Sequence, residues 1–299
     1  MADVKIRWFD PDKLDELAHL QTEIYNLSMK DSPEFLEAKV EDTIKRFKRE
    51  SFDQSRMFYA YDGDKMVGYS GLTGKNQKEN LRGVGYPHLR PGIDQSVRDL
   101  LYNQMEQKCH QEGTKYLRHF TSEDYPQHQT FFKDNGFSIK IEYLVHEKEL
   151  HKNEFKLPEG YSFRELRKED LPILEELSYK DPKMKSPFVA SDYEAYLTST
   201  DYDPSNVIVA QKDNEIIGFY GSFIPADSKI DKAYFAGVVI HKDHQHIESY
   251  LAMEIENRVI AKNKKIFETT YFPDSPRLPD AKKRGFIQTK HAYLLEKEL

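Results

Sequence analysis

The sequence contains a single cysteine, Cys109, among its 299 residues. A disulfide within the chain is therefore excluded, and a reducing, cytoplasmic setting is favoured, because disulfides form mainly in oxidising compartments. No apolar stretch approaches the roughly 20 residues that a membrane-spanning helix needs. The opening residues, Met1 to Asp10, lack the apolar run of a signal peptide. We therefore expect a cytoplasmic protein with no membrane partner.

The chain also lacks an excess of basic residues. It has 44 Lys and Arg against 51 Asp and Glu, which gives a net charge of −7. Proteins whose main task is to bind nucleic acid usually show the opposite balance, so no nucleic-acid partner is predicted. A small anionic ligand stays compatible with this balance, because backbone amides and a few local basic groups can hold phosphate.

An internal repeat organises the sequence. Met57–Gly71 (MFYAYDGDKMVGYSG) aligns with Val207–Gly221 (VIVAQKDNEIIGFYG) at a shift of 150 residues. Asn135–Leu150 aligns with Arg284–Leu299 at a shift of 149, so that Gly-Phe and Glu-Lys-Glu-Leu coincide. Self-similarity in the same order along the chain indicates two copies of one unit. We predict an N-terminal domain at 1–150 and a C-terminal domain at 151–299.

Each half shows the same order of predicted elements. A strand and two helices precede a strand pair, and then come a strand, a long helix, a strand, a short helix and a final strand. The second helix is expected to begin at Ser32-Pro33 in one half and at Ser186-Pro187 in the other, because Ser caps a helix and Pro suits its first turn. This order predicts an α/β fold with a mixed sheet and helices on both faces.

The element order, with Gly-Phe between a short helix and the last strand, resembles the GNAT superfamily of acetyl-CoA-dependent N-acyltransferases. The resemblance covers essentially the whole chain, twice. Tandem GNAT proteins, mycothiol-synthase-like enzymes among them, share this layout, and commonly only one half keeps catalysis. The resemblance implies an N-acetyltransferase in which the amine of a small molecule or peptide directly attacks the cosubstrate, acetyl-CoA.

The family binds the cofactor's pyrophosphate on backbone N–H groups at the start of the long helix. The preceding strand splays from its neighbour and exposes an amide that polarises the thioester carbonyl. Carried onto this sequence, the resemblance implies these cofactor-binding residues: Val84, Tyr86, Arg90, Gly92, Ile93, Asp94 and Gln95 in the first half, and Val239, His244, Gln245, His246 and Ile247 in the second.

Both loops depart from the family pattern Arg/Gln-x-x-Gly-x-Gly/Ala. Leu89 stands where Arg or Gln is expected, and Asp94 where the second small residue belongs. Asp94 could cap the helix, but its charge would oppose a pyrophosphate. The second-half loop, His241–Glu248, has no glycine. The first half is therefore the favoured cofactor site, and the second stays an alternative.

The family's chemistry also needs a base and a proton donor, which is often a Tyr in the last helix. Phe132 and Ala281 occupy that Tyr's position in the two halves. The candidate catalytic residues are Tyr125 and Tyr271 as donors and Glu79 and Asp231 as bases. For each of the four, an ordinary structural role is the alternative.

Two further functions stay open. The departures in both loops favour a catalytically inactive GNAT-like protein that binds a ligand or partner in the same cleft. Alternatively, the two halves could act as a pseudo-symmetric scaffold. His241, His244 and His246 match no closed metal site, so no metal is predicted. The oligomeric state is undetermined, with a homo-oligomer among the options.

Overall fold

The computed structural model describes residues 4–32, 35, 37–48, 52–73, 80–184, 203–224 and 231–299. The chain divides into two compact units. Unit 1 comprises Met1–Glu142 and His291–Leu299, and unit 2 comprises Tyr143–Lys290. The compact units therefore differ from the sequence halves in which closing strand each contains.

Helices and strands alternate along both units. The elements up to the end of the first repeat are β1 (Val4–Trp8), α1 (Leu14–Met29), α2 (Val40–Phe47), β2 (Met57–Asp62), β3 (Lys65–Gly71), β4 (Leu81–Gly83), β5 (His88–Leu89), α3 (Ser96–Gln111), β6 (Tyr116–Ser122), α4 (Pro126–Asp134) and β7 (Ser138–Glu149). The remaining elements are β8 (Tyr161–Glu165), α5 (Leu171–Ser178), β9 (Val207–Lys212), β10 (Glu215–Phe223), β11 (Lys232–Ile240), α6 (Glu248–Ala261), β12 (Ile266–Tyr271), α7 (Leu278–Lys283) and β13 (Ile287–Glu298).

In unit 1, the strands run in the order β1-β2-β3-β5, and β4 pairs in parallel with β6. The other edge of β6 pairs with the end of β13, from Ala292 to Glu298. Side chains of a strand alternate between the two faces. Phe58 and Ala60 accordingly pack in the core that contains α3 and α4, whereas Tyr59 and Tyr61 pack in the core that contains α1 and α2.

Unit 2 has the strand order β7-β12-β11-β10-β9-β8. The pair β11–β12 is parallel and its other pairs are antiparallel. Ile208 and Ala210 pack in the core with α6, and Val207 and Val209 pack in the core with α5. The predicted α/β fold, with a mixed sheet and helices on both faces, is therefore confirmed.

The glycines shared by the repeats have a packing reason. Gly68 pairs with Ala60 on β2, and Gly218 pairs with Ala210 on β9. A Cβ added to Gly68 would lie 2.5 Å from Cδ2 of Leu89, and one added to Gly218 would lie 2.3 Å from the carbonyl oxygen of Val239. In each unit, the strand that leads to the candidate cofactor loop approaches too closely for any side chain.

The predicted starts of the second helix in each half can be compared with the structure only in part. Helix α2 begins at Val40, later than the expected start at Ser32-Pro33. Pro33 and the second expected start, Ser186-Pro187, lie outside the described residues. In the described part of the chain, no helix combines the length and apolar character needed to cross a bilayer.

Candidate functional site

The strand segment from Leu81 to Leu89 parts from one neighbour in unit 1. Its first strand, β4, ends at Gly83. The amide of Val84 still donates to the carbonyl of Arg118 on β6, over 2.9 Å. The amide of the next residue, Gly85, instead donates to the carbonyl of Gly71 on β3, over 2.8 Å. Hydrogen bonding therefore switches from β6 to β3 between Val84 and Gly85.

The same segment forms a β-bulge against β3. Val84 opposes Leu72, and His88 opposes Tyr69. His88 is four residues after Val84, but Tyr69 is only three residues before Leu72. The segment therefore has one more residue than β3 can pair with, which is the definition of a bulge. Among the described residues, no backbone carbonyl accepts a hydrogen bond from the amide of Tyr86. Pro87 has no amide hydrogen, so it cannot extend the pairing.

A cavity of about 550 Å³ opens where the strands part. Its size falls within the range of small-molecule pockets. Val84 and Tyr86, both predicted as cofactor contacts, lie in its wall. The described lining residues are Gln21, Tyr25, Arg46, Met57, Tyr69, Ser70, Gly71, Leu72, Thr73, Gly83, Val84, Gly85, Tyr86, His88, Arg118, His119, Phe120 and Leu294.

His119 is the lining residue with the most distinctive electrostatics. Its Nδ1 lies 2.9 Å from the carbonyl oxygen of Val84, so Nδ1 must carry the proton and donate. Its Nε2 is buried and has no hydrogen-bond partner among the described residues. Burial lowers the pKa of His119 to about 4, so the ring is neutral at pH 7 and Nε2 is a bare acceptor.

The sequence analysis did not single out His119. Its neighbours Leu117 and Thr121 on the same face of β6 are buried, while Phe120 is exposed. A lone histidine on the buried face of a strand that follows a cofactor helix is a usable signal, because a buried imidazole requires a partner for each nitrogen. That signal does not distinguish a catalytic histidine from one satisfied within the core.

A stack of rings lies beside the cavity. The Tyr86 and His128 rings are stacked with centroids 3.8 Å apart, and Tyr125 stacks on His128 at 5.2 Å. The guanidinium of Arg98 lies 4.7 Å from the Tyr86 ring centroid and donates to the carbonyl of Pro87. Burial raises the pKa of Tyr86. Tyr125, a predicted proton donor, is therefore placed against His128 and does not line the cavity.

Arg90, predicted to meet a phosphate, has other partners. Its guanidinium forms two hydrogen bonds with the carboxylate of Glu23, at 2.5 and 2.9 Å, and its Nε donates to the carbonyl of Met66. The hydrogen bonds from Arg90 lower the pKa of Glu23. A bidentate arginine–carboxylate pair leaves little capacity for a phosphate. The structure thus gives Arg90 an anchoring role between the loop and α1.

The loop before α3 contains the other predicted cofactor contacts of unit 1. Gly92 adopts φ +81°, and nothing lies within 4 Å of the position its Cβ would take. Ile93 follows it, its amide donating to the carbonyl of Arg90. Asp94 is exposed and accepts the amide of Ser96 over 2.8 Å, which lowers its pKa. The side chain of Gln95 bonds to Arg98. Asp94 thus caps the helix, as the sequence allowed, and puts a negative charge where a pyrophosphate would bind.

Unit 2 repeats the strand geometry. The pairing of β11 with β12 ends at Tyr234, while its pairing with β10 continues to Ile240. The register with β10 shifts between Gly221 and Ser222, which makes Ala236 the extra residue of a bulge. Ala236 lies 150 residues after Tyr86. The bulge is therefore a feature of both repeats.

The helix start of unit 2 is occupied by the protein's own charges. Asp181 accepts the amide of Ile240 over 2.8 Å and the guanidinium of Arg277 over 2.7 Å. Arg277 also donates to Glu248, the first residue of α6, over 3.1 Å. Lys183 bonds to Glu248 from the other side. We call these four residues the ionic plug, and three of them, Asp181, Glu248 and Arg277, are buried.

The second-half loop folds as a 3-10 helix, Lys242–Ile247, which the sequence did not predict. The side chain of Gln245 donates to the carbonyl of Ile240 and to Asp181. His244 Nδ1 lies 2.9 Å from the hydroxyl of Tyr161. These predicted cofactor contacts are engaged within unit 2. The other three lie nearby: Val239 and Ile247 are buried in the core, and His246 is exposed on the loop.

Two of the other predicted catalytic residues, Tyr271 and Asp231, belong to unit 2. Tyr271 is a buried core residue whose pKa is raised by burial. Asp231 precedes β11 and bonds to Lys265. Strand β11 is nine residues long, so Asp231 lies about 30 Å from the loop at its other end. Glu79 lies outside the described residues. Among the described residues, no cluster of three His, Cys, Asp or Glu side chains could hold a metal ion.

Comparisons with known proteins support the fold. No protein-family model matches the sequence, and no curated protein matches it. Among solved structures, a tandem GNAT protein from the clavulanic acid biosynthesis pathway is similar, with a TM-score of 0.77 and 14% identity over 99% of this chain and 98% of that chain. A GCN5-related N-acetyltransferase from Sphaerobacter thermophilus has a TM-score of 0.70 and 15% identity over 99% of this chain and 95% of that chain.

A third similar structure contains a longer acyl donor than acetyl-CoA. The N-myristoyltransferase of Saccharomyces cerevisiae, solved with myristoyl-CoA, has a TM-score of 0.66 and 11% identity over 99% of this chain and 80% of that chain. The chain therefore has a tandem GNAT-like fold, as the resemblance implied. At these identities the likeness shows the fold and does not fix the activity.

Proposed function

We propose that unit 1 is an N-acyltransferase that uses acetyl-CoA, and that unit 2 is its catalytically inactive counterpart. The observation that carries the proposal is the bulge at Tyr86. Its amide has no partner among the described backbone carbonyls, and Tyr86 lines a cavity large enough for a small substrate. An unpaired amide in such a place can hydrogen-bond to an oxygen that gains negative charge.

The acyl-CoA cosubstrate supplies an activated thioester carbonyl. In the reaction, the acceptor's nitrogen forms a C–N bond to that carbon and the C–S bond breaks. The amide of Tyr86 would stabilise the charge that develops on the carbonyl oxygen. The nitrogen loses a proton, and the departing thiolate gains one from solvent. Each atom and charge is thereby accounted for without a further reactant.

His119 fits the role of the base. Its Nε2 is unprotonated at pH 7 and has no partner in the described part of the chain. The hydrogen bond to Val84 fixes which ring nitrogen carries the proton. Phe132 stacks on the imidazole with centroids 3.9 Å apart, which fixes the plane of the ring. An oriented neutral imidazole can take the amine's proton as the C–N bond forms.

The phosphate end of the site fits CoA less well than the carbonyl end. In favour are the open space around Gly92 and the partial positive charge at the start of α3. Against it stand the carboxylate of Asp94 and the engagement of Arg90 by Glu23. We therefore expect weak cofactor binding, at higher concentrations than a complete phosphate loop would need.

Binding of acetyl-CoA to the full chain tests the proposal. Calorimetric titration is expected to show saturable binding that Gly92→Trp removes, because the new side chain would occupy the open space at the loop. The matched control is Lys242→Trp, at an exposed position of the unit 2 loop. Absence of binding at millimolar acetyl-CoA would sink the proposal, and binding lost only in Lys242→Trp would move the site to unit 2.

A second function is favoured by the negative charges at both helix starts. Asp94 in unit 1 and Asp181 with Glu248 in unit 2 occupy the places where a pyrophosphate would bind. These charges favour a non-catalytic protein that holds a small ligand in the cavity of unit 1. The same titration separates the two functions, since the second predicts no CoA binding.

A further inference from the structure

One wall of the cavity in unit 1 carries hydrogen-bond donors that have no acceptor. The side chains are Gln21 and Tyr25 from α1, Arg46 from α2 and Tyr69 from β3, and all four line the cavity. We call this set the donor wall. Among the described lining residues there is no Asp or Glu to balance it.

The two tyrosines converge on one ring. Tyr25 meets His88 edge-on with centroids 5.5 Å apart, and Tyr69 stacks on His88 at 5.2 Å. Among the described residues, no hydrogen bond is formed by either hydroxyl, and Tyr69 is only 7% exposed. Burial raises the pKa of both phenols, so both stay protonated and can donate.

Gln21 is oriented by a neighbour outside the cavity. The hydroxyl of Tyr59 donates to Oε1 of Gln21 over 3.3 Å, which uses the acceptor end of the amide. The side-chain NH2 group keeps its two N–H donors, since in the described part of the chain the bond from Tyr59 is the one hydrogen bond of this side chain. Because Gln21 is only 4% exposed, an unpaired NH2 group there favours a ligand acceptor.

Arg46 adds a positive charge at the rim. It is exposed on α2, and none of the described carboxylates lies within ion-pair distance of it. Other cations nearby are paired, as Arg90 is with Glu23 and Lys45 is with Asp42. The guanidinium and the Gln21 NH2 group can only donate, and the two phenol hydroxyls can donate as well, an arrangement that suits a carboxylate.

We propose that the donor wall binds a carboxylate of the acceptor, so that the acceptor is an amino acid or a similar small amine that carries a carboxylate. That this ligand is the acceptor of acyl transfer rests on the proposed function, whereas its carboxylate is inferred from the donor wall itself. Phe120 and Tyr86 also line the cavity and supply apolar surface for the body of such a molecule. The volume suits a molecule of amino-acid size.

Matched ligand pairs test this inference on the full chain. The probes are L-phenylalanine with L-phenylalaninamide and L-leucine with L-leucinamide, titrated by calorimetry without CoA. Each carboxylate is expected to bind about tenfold more tightly than its amide, because charge-assisted hydrogen bonds are stronger than neutral ones. Arg46→Gln should abolish that preference, while the neighbouring charge change Lys45→Gln should leave it intact.

Tyr69→Phe gives a second, independent reading. It keeps the ring that stacks on His88 and removes one donor, so the preference should fall while the thermal midpoint stays near that of the unaltered chain. Equal binding of acid and amide, a preference that survives Arg46→Gln, or no binding of any probe at millimolar concentration would each overturn the inference. Carboxylate preference without acetyl-CoA binding would refute acyl transfer and keep the donor wall. Acetyl-CoA binding without that preference would refute the donor wall alone.

Discussion

The two units share a β-bulge and differ in the side chains around it. In both, the strand before the long helix carries a bulge, at Tyr86 in unit 1 and at Ala236 in unit 2. In unit 1 the bulge borders a cavity with unsatisfied donors. In unit 2 the adjacent helix start is occupied by the ionic plug. Backbone geometry therefore persists in both copies, while the side chains around the bulge differ.

The imidazole of His119 should matter most to activity. His119→Asn keeps a donor for the carbonyl of Val84 but has no counterpart of Nε2. We expect the acyl-transfer rate of this variant to be about 10²- to 10⁴-fold lower than that of the unaltered chain. The rate is measured as acceptor-dependent thiol release from acetyl-CoA. An unchanged rate would show that another group is the base, and circular dichroism would verify that the variant folds.

Breaking the ionic plug should lower the free energy of unfolding and should not change ligand binding by unit 1. Arg277→Leu removes the partner of Asp181 and of Glu248, which are both buried. Leaving buried charges uncompensated costs about 3–5 kcal/mol in the free energy of unfolding. Urea denaturation measures this loss. The control is Arg258→Leu, which breaks a more exposed pair with Glu254 and should cost about 1 kcal/mol or less. A loss for Arg277→Leu no larger than the control's would contradict the plug.

Mild acid should destabilise unit 1 through its buried histidines. Burial lowers the pKa of His119 to about 4 and of His128 to about 3, from 6.5. The unfolded chain therefore binds protons that the folded chain does not, and stability falls as pH drops from 6.5 towards 4. Each histidine contributes about 3 kcal/mol by pH 4. Denaturation midpoints measured between pH 7.5 and pH 5 should decline, and should decline less in His119→Asn. A flat profile would contradict the burial of these neutral rings.

The smallest expected effect concerns the cap of α3. Asp94→Ser keeps a side-chain acceptor for the helix amides and removes the negative charge. Affinity for acetyl-CoA should rise about two- to fivefold at low salt, because the variant no longer places a negative charge beside the bound phosphates. The control Asp134→Asn makes the same charge change at an exposed site at the end of α4. Equal gains in both variants would indicate a general effect of net charge.

The sequence determined the repeat, the α/β class and most of the element order, because these depend on local periodicity and on glycines that no side chain can replace. The pattern at Gly68 and Gly218 could be aligned before its cause, the close approach of Leu89 and Val239, was visible. The predicted cofactor segment of unit 1 contains the bulge, although the pairing of its strand was not foreseen.

Tertiary structure alone decided the partners. The bond between Arg90 and Glu23 joins residues 67 apart, and the bond between Arg277 and Asp181 joins residues 96 apart. The environment of His119 likewise depends on Val84 and Phe132, which belong to other elements. The closing strand of unit 1 comes from the end of the chain. Such contacts follow from three-dimensional packing, which periodicity along the sequence does not encode, and they determine which side chains line the cavity of each copy.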